Sequence, residues 1–352
     1  MKTRIIGSGS CIPELKVTNR DFGSHTFVDH RGVALAHTSE RIIEKFAAIT
    51  GIEERRYAAK GMVTSDLAYN AALKAIADAG IDPETIDYII CAHNFGDVQH
   101  NKVQGDTIPS LASRVKHLLK IRNPRCIAYD LIFGCPGWIE GVIQSHAFIR
   151  SGMARRCLVI EAESLSRVVD HSDRDSMIYA DGAGAALLEA GEGPSGLLCH
   201  ESASYTFEES GFLYFGPSYD VQHKDDTRYI KMHGRKIYEF ALKHVPLAMQ
   251  SCLRKGDIPI GDIKKIIIHQ ANEKMDEAIL ERFYNLYGYT PPLEVMPMSI
   301  RTLGNSSVAT VPTLYDLIAK GQLEGHNFAK NDIILFASVG AGMNINAFAY
   351  RI

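Results

Sequence analysis

Residues 129–143 read YDLIFGCPGWIEGVI. An apolar, strand-like run breaks at Gly134, one cysteine follows, and the apolar positions beyond Pro136 take up helical spacing. A strand that turns straight into a helix belongs to layered α/β architecture, in which helices pack back onto a sheet. Cys135 then stands at a helix N-terminus, with Pro136 in the first turn, where its missing N–H does no harm. Gly137 and Gly141, four apart, thin one face of that helix for close packing. Two readings of Cys135 fit. One is apolar filler, since cysteine is among the most buried residue types. The other is a nucleophile, whose thiolate the free amides and the positive helix end would favour.

Outward from this stretch, short β-like runs alternate with helical ones, which points to α/β layers with buried sheets. TRIIGSG opens as a strand, and SDLAYNAALKAIADAG follows as an amphipathic helix with Ser65 and Asp66 placed to cap it. DYIICAHN, RCIAYDLIFG, RCLVIEAE and GAGAALLEA read as strands. The second half repeats the order. The helix RKIYEFALKHVPLAMQSCLRKG leads to IGDIKKIIIHQAN, which matches PETIDYIICAHN: an isoleucine, two variable residues, an apolar triplet and a polar exit. GNSSVATVPTLYDLIAKG is the counterpart of the cysteine turn and its helix, and Gly340-Ala341-Gly342 echoes Gly182-Ala183-Gly184. Elements recurring in one order half a chain apart indicate internal duplication. The seam falls in the glycine- and proline-rich stretch 190–198, giving units of 1–190 and 191–352.

Two further positions carry polar chemistry at element ends. His269 closes the apolar triplet Ile266–Ile268, where a strand leaves its sheet and ligand groups collect. It is either a histidine satisfied by backbone partners or a catalytic one. Asn305, in LGNSSVAT, is either a helix cap or an amide donor. Cysteine, histidine and a polar orienter form a known nucleophilic set, and the three lie at equivalent ends of two similar halves. The 340–342 glycine pair is a tight turn, or flexible backbone that aims an N–H at a developing oxyanion.

The bulk properties narrow the class. The chain has 352 residues, 46% hydrophobic and 22% charged, as in a globular enzyme. A net charge of -3 without a basic run leaves no footprint for nucleic acid. No apolar stretch nears the roughly 20 residues that cross a membrane, and no h-region marks a secretory leader. Seven scattered cysteines read as reduced thiols in a cytoplasmic protein, and no CxxC or HxxxH spacing suggests a metal.

DLIFGCPGW, IIIHQAN, LGNSSVATVP, DGAGAALL and the closing GAGMN together resemble the β-ketoacyl-acyl-carrier-protein synthase III group of thiolase-fold condensing enzymes. The similarity runs from IIGSGSCIPELKVTN through TGIEERRYA to the last strand. It implies a five-layered αβαβα fold of two pseudo-equivalent halves, a homodimer, no metal or cofactor, and acyl-CoA or acyl-carrier protein as substrate. It implies that Cys135 takes an acyl group from a thioester primer, with the backbone amides of Cys135 and Ala341 as oxyanion hole. His269 and Asn305 would hold the thioester carbonyl of a malonyl group on acyl carrier protein while carbon dioxide leaves. Arg174 matches a contact to the coenzyme A nucleotide, Gly234 one beside the pantetheine arm, and Lys274 one to acidic carrier protein. Ile108 falls where the group places a primer-length determinant that reaches into the partner's pocket.

The resemblance breaks in places. SERIIEKFAAITGI lacks the tryptophan usual in that segment, the chain's one tryptophan being Trp138, and Ile49 replaces an arginine. Arg235 stands where asparagine is usual. These departures favour a carrier-bound or longer acyl primer and a specialised pathway (resorcinol, quinolone or polyketide type) over acetyl-CoA priming. Two rival readings remain at this point: a Cys-His-Asn thioester hydrolase, and a non-catalytic partner subunit that keeps the fold. GSGSC near the start lacks the third glycine of a dinucleotide loop.

Overall fold

Each half of the chain builds its own sheet, and the two sheets share one topology. In the computed structural model, which describes residues 2–223 and 226–352, the first sheet holds Lys2–Cys11 (β1), Tyr88–Ala92 (β2), Ile127–Leu131 (β3), Arg156–Ser164 (β4) and Asp181–Gly191 (β5). Its spatial order is β1-β5-β4-β2-β3. The second holds Gly196–Ser204 (β6), Ile263–Ile268 (β7), Ile333–Gly340 (β8) and Asn344–Arg351 (β9), in the order β6-β9-β8-β7. In both sheets the first two pairings are antiparallel and the next is parallel. β6, β9, β8 and β7 thus repeat β1, β5, β4 and β2. The first sheet adds β3, parallel to β2, at its edge.

Side-chain alternation explains the stacking. On β4 and β5, Leu158, Ile160, Ala185 and Leu187 point outward onto the helix Thr64–Ala79 (α1). Val159, Ala186 and Leu188 point inward, onto the helices Gly137–Arg150 (α2) and Thr310–Ala319. Ile267, Ile334 and Phe336 of the second sheet meet the same two helices from the other side. Ile266, Ile268 and Leu335 face outward onto the helices Gly234–Lys255 (α3) and Glu273–Asn285 (α4). Helix, sheet, helix, sheet, helix is the resulting order, the αβαβα stack that the resemblance implies. Sheets covered on both faces are why the strands read as unbroken apolar runs. Trp138 on α2 is fully buried mid-stack, 5.9 Å from Phe336 and 6.0 Å from Phe348 between ring centroids.

Three local expectations change. α1 starts at Thr64; Asp66 caps it by accepting the Val63 N–H at 2.9 Å, whereas Ser65 is buried and donates to Asp97. Pro136 is the residue before α2 rather than inside its first turn. Gly182–Gly184 lie within β5, while Gly340–Gly342 end β8 and form the turn into β9, so the echo marks equivalent strands but not the same register. Among the described residues no helix is long and apolar enough to cross a membrane.

Candidate active site

Three chain segments that leave their sheets or turns side by side build the site. β3 ends at Leu131, and Gly134 at φ +67° turns the chain so that Cys135 faces inward just ahead of α2. β7 ends at Ile268, and His269 follows at once, its backbone N–H held by the Ala337 carbonyl of β8 at 3.0 Å. Asn305 is clamped by two backbone bonds: its N–H donates to the Ile178 carbonyl at 3.0 Å, and its carbonyl accepts the Ala180 N–H at 2.8 Å. All three side chains line one cavity of about 930 Å³. The two halves therefore do bring the sulfur, the imidazole and the carboxamide into one chamber.

Asn305 is not a helix cap. The single helical turn after it, Ser307–Ala309, has Ser306 at its cap position, and the Asn305 Oδ1 accepts the Ser307 N–H at 2.7 Å. The planar amide so anchored turns its NH2 the opposite way, as a donor. Ser307 itself holds φ at +54°, and its hydroxyl lies 3.2 Å from the Cys135 sulfur.

The backbone of the Gly340–Ala341 turn packs tightly against the Cys135 turn. A Cβ on Gly340 would stand 2.4 Å from the Cys135 nitrogen, and one on Gly134 would stand 2.8 Å from the Ala341 nitrogen. Only glycine permits that approach. The Asn344 carboxamide pins the turn by donating to the Ala341 carbonyl at 2.9 Å and to Phe133 at 3.4 Å.

Electrostatics correct the thiolate expectation. Burial pushes the Cys135 thiol up to about 12, and the nearby Glu163 and Glu161 add to that, while Ser307 opposes it. Desolvation of a buried sulfur outweighs the helix end, so the resting group is a neutral thiol. Burial likewise lowers His269 to about 4, which the Ser307 backbone beside it counters only in part. The imidazole is neutral. Glu163, buried on β4, is raised to about 7, and burial holds Glu161 well above the usual carboxylate range.

The remaining sequence-derived positions divide. Arg174 and Gly234 line the cavity; Arg174 is 62% exposed and 3.7 Å from Asp175, and Gly234 opens α3. Lys274, exposed in the first turn of α4, and Ile108, 86% exposed on a loop, are not among its lining residues. Ile49 and Arg235 line the solvent end, both exposed. Ser307, Asn94 and Glu163 join the site without being singled out by the sequence motifs. Two signals point to them: the second serine of GNSS, and the strand CLVIEAES, whose two acids two apart must share a face in an otherwise apolar run.

Residues 129–205 match the family 3-oxoacyl-[acyl-carrier-protein (ACP)] synthase III, and residues 253–352 match its C-terminal family. A β-ketoacyl-[acyl-carrier-protein] synthase III of Halalkalibacterium halodurans is 31% identical over 349 residues, covering 99% of this chain and 97% of the relative. One from Staphylococcus saprophyticus is 31% identical over 355 residues, covering 100% of this chain and 99% of its own. The crystal structure of 3-oxoacyl-[acyl-carrier-protein] synthase III from Aquifex aeolicus superposes with a TM-score of 0.81 at 29% identity, covering 99% of this chain and 100% of that one. The duplicated five-layer stack is thus a thiolase fold, and the chain belongs to the 3-oxoacyl-[acyl-carrier-protein] synthase III family of condensing acyltransferases.

Proposed function

We propose that this protein condenses an acyl primer, carried on Cys135, with a malonyl or related group on acyl carrier protein. The observation that supports this most is the gathering of Cys135, His269 and Asn305 in one cavity, with the Gly340–Ala341 turn packed against the Cys135 turn and lining the same cavity. In the first half-reaction the Cys135 sulfur attacks the primer thioester, the carbonyl–sulfur bond of the carrier breaks, and the thiol proton ends on the departing carrier thiol. Charge gathers on the carbonyl oxygen, where the two amides would receive it. In the second, the malonyl carboxylate leaves as carbon dioxide and the enolate carbon attacks the acyl-enzyme. A neutral imidazole and the Asn305 NH2 suit an enolate oxygen, because both are fixed donors that need no proton transfer. The Cys135 thiolate departs and is reprotonated.

Partners follow from the same reading. Lys45, Arg174 and Arg235 line the exposed end of the cavity, cations suited to an acidic carrier or a phosphopantetheine arm. The wall nearby is apolar through Ile42, Phe46 and Ile49, without an indole to stack on a base, which favours a carrier-bound or longer primer over acetyl-CoA. β3 is an edge strand, with Ile127 on it 46% exposed and Ile132 just beyond its end 61% exposed, a face that a second copy in a homodimer would cover. Ile108 would then serve the partner's pocket, and Lys274 the carrier. Location in the cytoplasm is part of the proposal, as is chemistry without metal or cofactor.

A hydrolase is the alternative, and it requires His269 to activate the thiol. The hydrogen-bond partner of the Cys135 sulfur is Ser307 instead. The test is incubation with acyl-CoA and acyl-carrier panels. Free acid released without malonyl carrier would support hydrolysis; a 3-oxoacyl-carrier product formed only with it supports condensation.

A further inference from the structure

The sulfur of Cys135 lies at the end of a hydrogen-bonded line that starts at a buried carboxyl. The Asn94 carboxamide Nδ2 donates to Glu163 Oε1 at 2.6 Å, and the Asn94 backbone N–H donates to the same oxygen at 2.7 Å. A carboxylate acceptor fixes which end of the amide carries the hydrogens. That same Nδ2 also donates to Ser307 Oγ at 3.4 Å, and Ser307 Oγ stands 3.2 Å from Cys135 Sγ. Since Asn94 supplies Ser307 with a donor, the hydroxyl's own hydrogen is left to point elsewhere. The Cys135 sulfur, at 3.2 Å, is within reach to accept it once that sulfur carries negative charge.

We propose that the Ser307 hydroxyl is a further catalytic residue, donating its hydrogen to the Cys135 sulfur as the thiolate forms and again as it departs, with Asn94, locked by Glu163, as the residue that positions it. The inference rests on the condensing reading for its role in turnover, but not for the contact itself. The requirement is physical. Desolvated in the cavity wall, the partly exposed Cys135 holds its thiol proton tightly, and a thiolate of that kind is both costly to form and a poor leaving group. The titratable groups around the sulfur are Glu161 and Glu163 from β4, Tyr179 before β5, and His269 after β7. The carboxyls raise the cost of a thiolate when ionised, the neutral imidazole adds no cation, and Tyr179 is held protonated by burial. Ser307 is the side chain in direct contact that lowers the cost.

Alkylation by iodoacetamide tests this on the whole chain, read as the Cys135 peptide mass between about pH 6.5 and 9.5. Ser307→Ala should slow alkylation about tenfold at each pH, equivalent to moving the profile up by about one unit. A more open pocket would speed the reagent, so the direction separates the hydrogen bond from loss of bulk. Ser307→Gly, which suits φ +54° and keeps the backbone N–H to Asn305, should do the same if the alanine variant misfolds. Asn94→Ala should slow alkylation in the native background and much less in the Ser307→Ala background, because it acts through that hydroxyl. Unchanged profiles in both Ser307 variants, or full additivity with Asn94→Ala, would overturn the proposal. Absence of any acyl adduct on native Cys135 would overturn the condensing function instead, leaving the alkylation profiles to decide Ser307 separately.

Discussion

The Ser307 backbone N–H holds the Asn305 carboxamide by its oxygen at 2.7 Å, so one residue of a tight turn both aims the amide donor and, through its hydroxyl, touches the nucleophile. Replacement of Asn305 by aspartate keeps the anchored oxygen and swaps the NH2 for a charge facing the enolate. Asn305→Asp should cut carbon dioxide release from a malonyl carrier thioester by about 10²–10³-fold. Acyl adducts on Cys135 should still form within a few-fold of the native rate. Native decarboxylation in this variant would remove Asn305 from the mechanism.

Gly340 allows β8 to pass against the nucleophile turn, with an added Cβ meeting the Cys135 nitrogen at 2.4 Å and Pro136 Cδ at 2.7 Å. Gly340→Ala must displace the Cys135 amide, and adduct formation should fall by at least about 10²-fold, the scale of losing one oxyanion donor. Gly261→Ala, where a Cβ meets nothing within 4 Å, is the matched control. Both should be assayed by intact mass after confirming native circular dichroism.

His269 is depressed to about 4 from 6.5 by burial. A base whose folded value is lowered contributes stability that is complete above the unfolded value and lost as pH falls through the folded one. Between pH 6.5 and 4 the native protein should therefore lose stability relative to His269→Gln, by up to ~3 kcal/mol. His146, lowered to about 4, acts in the same window, and Glu163, raised to about 7, acts in the opposite sense. The difference between the two proteins isolates His269. Urea midpoints at several pH values measure it, and parallel curves would contradict it.

Lys231, fully buried on the ribbon Arg228–Met232, donates to Asp170 at 2.6 Å and Asp173 at 3.0 Å. The ribbon supplies Ile230 and Met232 to the cavity wall. Lys231→Met strands two buried carboxyls and should cost about 3–5 kcal/mol. Thermal melts check the stability, and a raised KM for the primer with kcat less affected checks the wall.

Much of this was legible in the sequence because buried strands and duplicated order leave strong traces. The match of Ile86–Asn94 to Ile263–Ala271 placed His269 at a strand end, as β7 shows. The turn at Gly134 likewise placed Cys135 ahead of a helix. What escaped depends on distance in the chain. Ser307 meets Cys135 across 172 residues, and Asn94 meets Glu163 across 69; no local pattern encodes such pairs. The thiolate expectation fails because helix position is visible locally, while desolvation of the sulfur is a property of the whole stack. The GAG echo slipped in register because β4 and β5 are joined by the long segment 165–180, whereas β8 and β9 are joined by a tight turn.

The central claim is that one sulfur carries the primer between two half-reactions. A pulse of acyl thioester followed by a chase with malonyl carrier protein, read by peptide mass over time, tests it most directly. The acyl mass should appear on the Cys135 peptide, disappear on the chase, and be recovered in a 3-oxoacyl-carrier product with one carbon dioxide released per acyl group. An acyl mass on another residue, or product formation by Cys135→Ala at the native rate, would contradict it.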